Sequence, residues 1–177
     1  PNQNVADDNP SWSPDGTKVV FQSNRSVWNL IYIINADGTG LTQVDNQPLS
    51  ADNIYPSFSP DGSIIFESGN GLTINKIDLD GSDLTLIYTS ATQMLHAKWA
   101  PDNSKIIFEV DTSTPPYITL YTIYTDGSGK TSIATGGEPA WSPDSKFIVY
   151  SNNGIKIMGP TGVQVNNLFT GTNDNDP

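Results

Sequence analysis

The chain has 177 residues, 36% hydrophobic and 15% charged, enough apolar content for a packed core and too little charge for a disordered polyelectrolyte. Eight Lys and Arg stand against nineteen Asp and Glu, for a net charge of −11, which repels phosphate backbones and anionic headgroups and excludes nucleic acid as an expected partner. There is no Cys, so disulfides, thiolate metal sites and a Cys nucleophile are ruled out, and no run approaches the roughly 18 apolar residues of a spanning helix, so membrane insertion is not expected.

Taken in chain order, the elements repeat. PSWSPDG (10–16) ends a strand in a Pro-Asp turn, followed by KVVFQS (18–23), a loop, LIYIINA (30–36), the turn DGTG (37–40) and LTQV (41–44). The second unit reads PSFSPDG (56–62), SIIFES (63–68), LTINKIDL (72–79), DGSD (80–83) and LTLIYT (84–89). The third reads AKWAPDN (97–103), KIIFEV (105–110), ITLYTIYT (118–125), DGSG (126–129) and KTSIAT (130–135). The fourth reads PAWSPDS (139–145), KFIVYS (146–151), GIKIMG (154–159), PTG (160–162) and VQVNNLFT (163–170). One aromatic marks each unit, Trp12, Phe58, Trp99 and Trp141, at separations of 46, 41 and 42 residues.

Val, Ile, Phe, Tyr and Thr dominate the runs and Pro and Gly fall between them, which is the grammar of strands and hairpins. No segment sustains a 3.6-residue apolar period with caps, so helix should be nearly absent. Four strands in about forty residues match one β-propeller blade. The expected fold is therefore all-β: a single domain over 1–177, a β-propeller of four-stranded antiparallel blades. Four blades lie in this chain, as units of approximately 10–55, 56–96, 97–138 and 139–177, standing alone or within a larger ring or array. The four aromatics are expected to be buried at equivalent places between neighbouring blades. Each Pro-Asp turn reads as architecture: Pro presets φ, Asp bonds the backbone ahead of it, and Gly accepts positive φ.

These residues carry a resemblance. PSWSPDGTKVVFQSNR (10–25) followed by IYIINADGTGLT (31–42) resembles the WD-like Pro-Asp propeller repeat of the TolB family, and related blades form the propeller domains of the prolyl oligopeptidase family. The second unit keeps PSFSPDG with Phe for Trp; the third departs at Ala97, Ala100 and Asn103, and the fourth has Ser145 for Gly and PTG for DG. The resemblance spans nearly the whole chain and implies a propeller, a scaffold with many uses. The opening PNQNVADDNP and closing GTNDNDP read as parts of one inter-blade loop, so a mature or trimmed segment in whole-blade phase is expected. Such a segment should be ring-closed or self-associated, not an isolated open arc.

Candidate chemistry is sparse. DGSGKTS (126–132) lacks the first Gly of a phosphate loop, since position 124 is Tyr, and it sits between strands where that loop must lead into a helix. Asp78, Asp80 and Asp83 alternate along one turn and form a weak Ca²⁺ candidate, against a solvated hairpin as the default. His96 is the only histidine, and no G-x-S-x-G elbow is present, so neither a zinc site nor a triad finds its other members. Asn24-Arg25-Ser26 is a glycosylation sequon that also fits the repeat's own S-N-R pattern. No cofactor is expected beyond the Ca²⁺ candidate.

In an up-down blade the near-identical SPDG and DGxG turns share one rim, and everything that varies lies on the other. Arg25, Trp28, Asp52, His96 and Tyr117 are the candidate binding residues of that variable rim, and Asp7, Asp8, Asp52 and Glu138 are placed to ring an acidic funnel or to be simply solvated. The expectation is a non-enzymatic, exported scaffold, periplasmic or extracellular, whose partner is another protein or other copies of itself. The alternatives are an accessory domain of a prolyl-oligopeptidase-type peptidase and a propeller that binds glycan.

Overall fold

Alternating and fully apolar runs bounded by Pro, Gly and Asp can bury their side chains only as paired strands, and the chain folds that way throughout. The computed structural model describes residues 5–45, 52–112, 114–115 and 117–167. The first blade holds β1 (Asp7–Trp12), β2 (Lys18–Ser23), β3 (Leu30–Asn35) and β4 (Thr42–Gln43), and the second β5 (Asn53–Phe58), β6 (Ile64–Ser68), β7 (Thr73–Ile77) and β8 (Thr85–Thr89). The third holds β9 (Met94–Trp99), β10 (Lys105–Asp111), β11 (Ile118–Tyr124) and β12 (Thr131–Thr135), and the fourth β13 (Gly137–Trp141), β14 (Ile148–Ser151), β15 (Ile155–Met158) and β16 (Gln164–Asn167).

Each blade is a four-stranded antiparallel meander in chain order, and the four together are a β-propeller without helix among the described residues. The first strand of each blade begins two or three residues ahead of the expected unit boundary. Of the last expected run, 168–170 lie outside the described residues, as does GTNDNDP.

The Pro-Asp turns behave as their chemistry requires. Asp15 Oδ1 accepts from the Ser13 hydroxyl at 2.6 Å and the Thr17 amide at 3.0 Å, and these bonds hold its carboxyl down to about 2. Asp144 repeats the pattern with Ser142 at 2.7 Å and the Lys146 amide at 3.1 Å. Asp61 does so with Ser59 and the Ser63 amide; burial pushes its carboxyl up, but these bonds and Lys76 hold it well below the usual range. The next position is left-handed in all four turns: Gly16, Gly62, Asn103 and Ser145 have φ of 70, 88, 63 and 59°.

Packing between blades is also repetitive. Val20, Ile65 and Ile107 occupy one position on the second strand, and Ile31, Ile74 and Leu120 sit at a matching position on the third; all six are fully buried. They form the rear face of blades one to three, covered by the front face of the next blade. Phe58 closes on Val20 and Ile31, Trp99 on Ile65 and Ile74, and Trp141 on Ile107 and Leu120.

The expectation of four equally buried aromatics fails at two places. Phe58 and Trp99 are 8% exposed, but Trp141 is half-buried and Trp12 is 62% exposed. At Trp12 the reason is geometric: each aromatic is buried by the blade before it, and blade one has no such neighbour among the described residues. Part of its front face is covered instead by Arg25, whose guanidinium lies 4.7 Å from the Tyr32 ring centroid and 5.5 Å from that of Phe21.

Candidate functional site

The first strands of successive blades pack against one another, β1 on β5, β5 on β9 and β9 on β13, and make the inner edge of the propeller. Each has a bulge, where the register slips, and in each the bulged residue is left-handed without being glycine: Asn9, Tyr55, His96 and Glu138, with φ of 53, 52, 57 and 54°. A non-glycine residue held there costs on the order of 1 kcal/mol and persists only where its surroundings compel it.

At Tyr55, His96 and Glu138 the compelling partner is a polar side chain at a fixed position of the preceding blade's second strand, while Asn9 donates to Gln22 of its own blade at 3.0 Å. Gln22 Oε1 accepts from the Tyr55 amide at 2.8 Å, Glu67 Oε1 from the Ala97 amide at 2.8 Å, and Glu109 Oε1 from the Glu138 amide at 2.6 Å. Ser151 holds the same position in blade four. Sequence reasoning missed this set. Its signal was one polar residue in register within apolar runs: Gln22, Glu67, Glu109 and Ser151 near the ends of KVVFQS, SIIFES, KIIFEV and KFIVYS.

These acids are buried, and burial sets their electrostatics. Glu67 is fully enclosed; loss of solvent pushes its carboxyl up to about 8, opposed by the Ala97 amide and the Lys98 charge and reinforced by Glu109. Its second oxygen, Oε2, has no hydrogen-bond partner. Lys98 is pushed down by burial and partly restored by Glu67, while burial and then the charges of Glu67 and Glu109 raise the Tyr55 phenol.

The variable rim opens into a cleft of about 650 Å³ between blades three and four, with His96, Glu109, Tyr117, Glu138 and Asn153 among its walls. His96 Nδ1 is 2.8 Å from Glu109 Oε1, and its ring meets Tyr55 edge-on at a centroid distance of 4.5 Å. With Nδ1 engaged, Nε2 is the nitrogen left to serve a ligand. Tyr117 is 63% exposed at the mouth. The floor depends on Gly136, whose φ is 134° and where a Cβ would lie 2.4 Å from the Ser151 carbonyl oxygen.

Of the five candidate binding residues, His96 and Tyr117 meet in this cleft and the other three do not. Arg25 pairs with Asp7 at 2.8 Å and lies on the front of blade one. Asp52 accepts the Asn29 amide at 2.8 Å, tying two loops together. Trp28 is 44% exposed in the loop before β3. The acids expected around a funnel are dispersed among these roles, with Glu138 in the cleft and Asp7 on Arg25.

Asp80 caps its own turn through the Ser82 amide and hydroxyl at 2.9 and 2.6 Å. Among the described residues no three acids or histidines are arranged to hold a metal. The sequon Asn24 accepts the Ala6 amide at 2.8 Å. DGSGKTS is a hairpin turn, and Lys130 there lies 4.3 Å from the Tyr121 ring centroid, a cation on an aromatic face.

No family model matches the chain. Among solved structures it is similar to a protein assigned as TolB from Agrobacterium tumefaciens, with a TM-score of 0.74, 19% identity, and coverage of 91% of this chain and 64% of that one. It is similar to a chain of a nidogen/laminin complex at 0.68 and 10%, covering 85% of this chain and 59% of that one. A third likeness is to oligogalacturonate lyase in complex with manganese, at 0.69 and 14%, covering 90% and 51%. The chain thus spans about half to two thirds of these structures, and the likeness establishes a TolB-like β-propeller fold.

Proposed function

We propose that this propeller is a non-enzymatic binding module that receives a segment of another protein in the cleft between blades three and four, in the periplasm or outside the cell. The observation that carries this reading is the pairing of an exposed aromatic, Tyr117, with a recessed imidazole oriented by a buried carboxylate, His96 on Glu109. An aromatic that offers large area at low entropic cost beside a few fixed polar groups suits recognition of a peptide segment. With Glu109 and Glu138 in the cleft and a net charge of −11, a neutral or basic segment is favoured over an acidic one. A propeller chain within a nidogen/laminin complex is consistent with protein recognition by this architecture. The same exposed Tyr117 supports glycan binding as a second reading, since sugar rings stack on aromatic faces.

Site-directed photo-crosslinking tests the reading. A photoreactive residue at position 117 should give a discrete protein adduct in the native compartment, and His96→Ala should weaken it, while the same probe at Asp37 on the opposite rim should give none. Adducts of equal yield from both rims would refute it. Peptide, ester or uronide cleavage by the purified chain, abolished by His96→Ala, would show an enzyme instead.

A further inference from the structure

Glu109 has two carboxylate oxygens, and only one of them is engaged. Oε1 accepts from His96 Nδ1 at 2.8 Å and from the Glu138 amide at 2.6 Å. Oε2 takes no hydrogen bond among the described residues, although Glu109 is 3% exposed and lines the cleft between blades three and four. The approach to Oε2 is kept open by Gly137. A Cβ there would stand 3.4 Å from Oε2 and 3.6 Å from Cδ and Oε1, so a side chain at 137 would lie across the carboxyl group. Glu138, itself exposed, adds a second carboxylate, and among the described residues no Lys or Arg lines the cleft. Leu95, Tyr117 and Ile118 supply an apolar wall.

We propose that the cleft captures a primary ammonium group, from a lysine side chain or an amino terminus of the bound segment, with Glu109 Oε2 as its counter-ion. This inference rests on the binding reading above and names the group that is taken up. A recessed carboxylate oxygen without a donor is unfavourable, and a cationic donor satisfies both its charge and its open lone pairs. The choice between cations follows from the number of free oxygens. A guanidinium binds a carboxylate best through two parallel N–H···O bonds, and Oε1 already has two donors. An ammonium is a point charge that needs only one oxygen. The methylene stem of a lysine suits the wall of Leu95, Tyr117 and Ile118 while its charge reaches the carboxyl group.

His96 is the only histidine, so its ring signals in NMR report on the cleft without ambiguity. Four tripeptides serve as probes: Ala-Lys-Ala, Ala-Arg-Ala and Ala-norleucine-Ala with both ends capped, and Ala-Ala-Ala with a free amino terminus. The lysine probe or the free terminus should move the His96 signals saturably and bind at least tenfold tighter than the arginine and norleucine probes. Whichever of the two binds tighter identifies the source of the ammonium.

Glu109→Gln keeps an acceptor for the Glu138 amide but sets a donor in the place of Oε2, and should weaken binding at least tenfold. Gly137→Ala should do the same by covering Oε2; its φ is not left-handed and its methyl group would make ordinary contacts, so it carries the test if Glu109→Gln fails to fold by circular dichroism. The proposal is overturned by arginine or norleucine binding as tightly as the ammonium probes, by the absence of any saturable shift, or by binding that neither variant weakens. The broader reading stands or falls separately, on the adduct from position 117. An adduct of undiminished yield in Glu109→Gln would keep that reading and remove this one.

Discussion

Glu109 Oε1 receives two groups from two blades: the His96 ring nitrogen of its own blade at 2.8 Å and the Glu138 amide of the next at 2.6 Å. One buried oxygen therefore orients the cleft imidazole and fastens blade three to blade four. Glu109→Ala removes both bonds and leaves an amide without its acceptor, which should cost about 2–4 kcal/mol. Glu109→Gln keeps an acceptor oxygen and should cost less than half as much. Urea denaturation midpoints of the two variants measure the difference.

Glu67 predicts how stability depends on pH. Its folded-state carboxyl stands at about 8 against an ordinary 4.5, so the folded chain binds the proton more tightly than the unfolded one. Its contribution is complete below the ordinary value and is lost as the pH rises toward 8. Asp15 works in the opposite sense: lowered from 3.8 to about 2, it favours the fold above 3.8 and ceases to do so as the pH falls toward 2. Glu67→Gln keeps the acceptor for Ala97 and abolishes the titration. The variant's denaturation midpoint should be flatter than wild type between about pH 5 and about pH 9, and higher at the upper end.

Trp12 and Trp99 occupy the same place in two blades yet differ in exposure, 62% against 8%. Trp99→Ala empties a packed junction and should cost about 3–5 kcal/mol. Trp12→Ala should cost less than about 1 kcal/mol in the dilute chain. Thermal or chemical denaturation at low protein concentration distinguishes them.

Gly136→Ala places a methyl group against the Ser151 carbonyl at a φ that side chains rarely adopt. A loss of about 1–3 kcal/mol is expected, together with a reshaped cleft floor. Gly159→Ala is the control: its Cβ would lie 3.8 Å from the nearest atom, and its effect should stay within about 0.5 kcal/mol.

The strands and turns were legible because they are local. KVVFQS is β2 from Lys18 to Ser23 without adjustment, and the Pro-Asp turns close through the aspartates that sequence chemistry assigns to them. The cleft was legible only in part. His96 and Tyr117 lay on the variable rim as expected, but Glu109, the partner of His96, is thirteen residues away on the adjacent strand. That pairing exists because a bulge turns the imidazole toward it. Tyr and Glu carry no left-handed preference and His only a modest one, so the identities of Tyr55 and Glu138 announced no bulge and that of His96 gave a weak signal. Trp12 shows a different limit: a repeat reports what a residue is shaped to fill, and its exposure depends on whether a neighbour fills the other side.

The bulges separate what the molecule is from what it offers. At Tyr55 and Glu138 the bulged residue is hydrogen-bonded to the preceding blade through its own amide, and at His96 through the amide that follows, so these bonds between blades leave the bulged side chain free to differ. A phenol, an imidazole, a carboxylate and, at Asn9, a carboxamide are thus mounted on one backbone socket. The lining of the inner edge can then be rewritten one residue at a time while the sheet beneath it stays as it is. That makes the four sockets a natural grid for a combinatorial library, in which new recognition is sought without first having to solve the folding problem again.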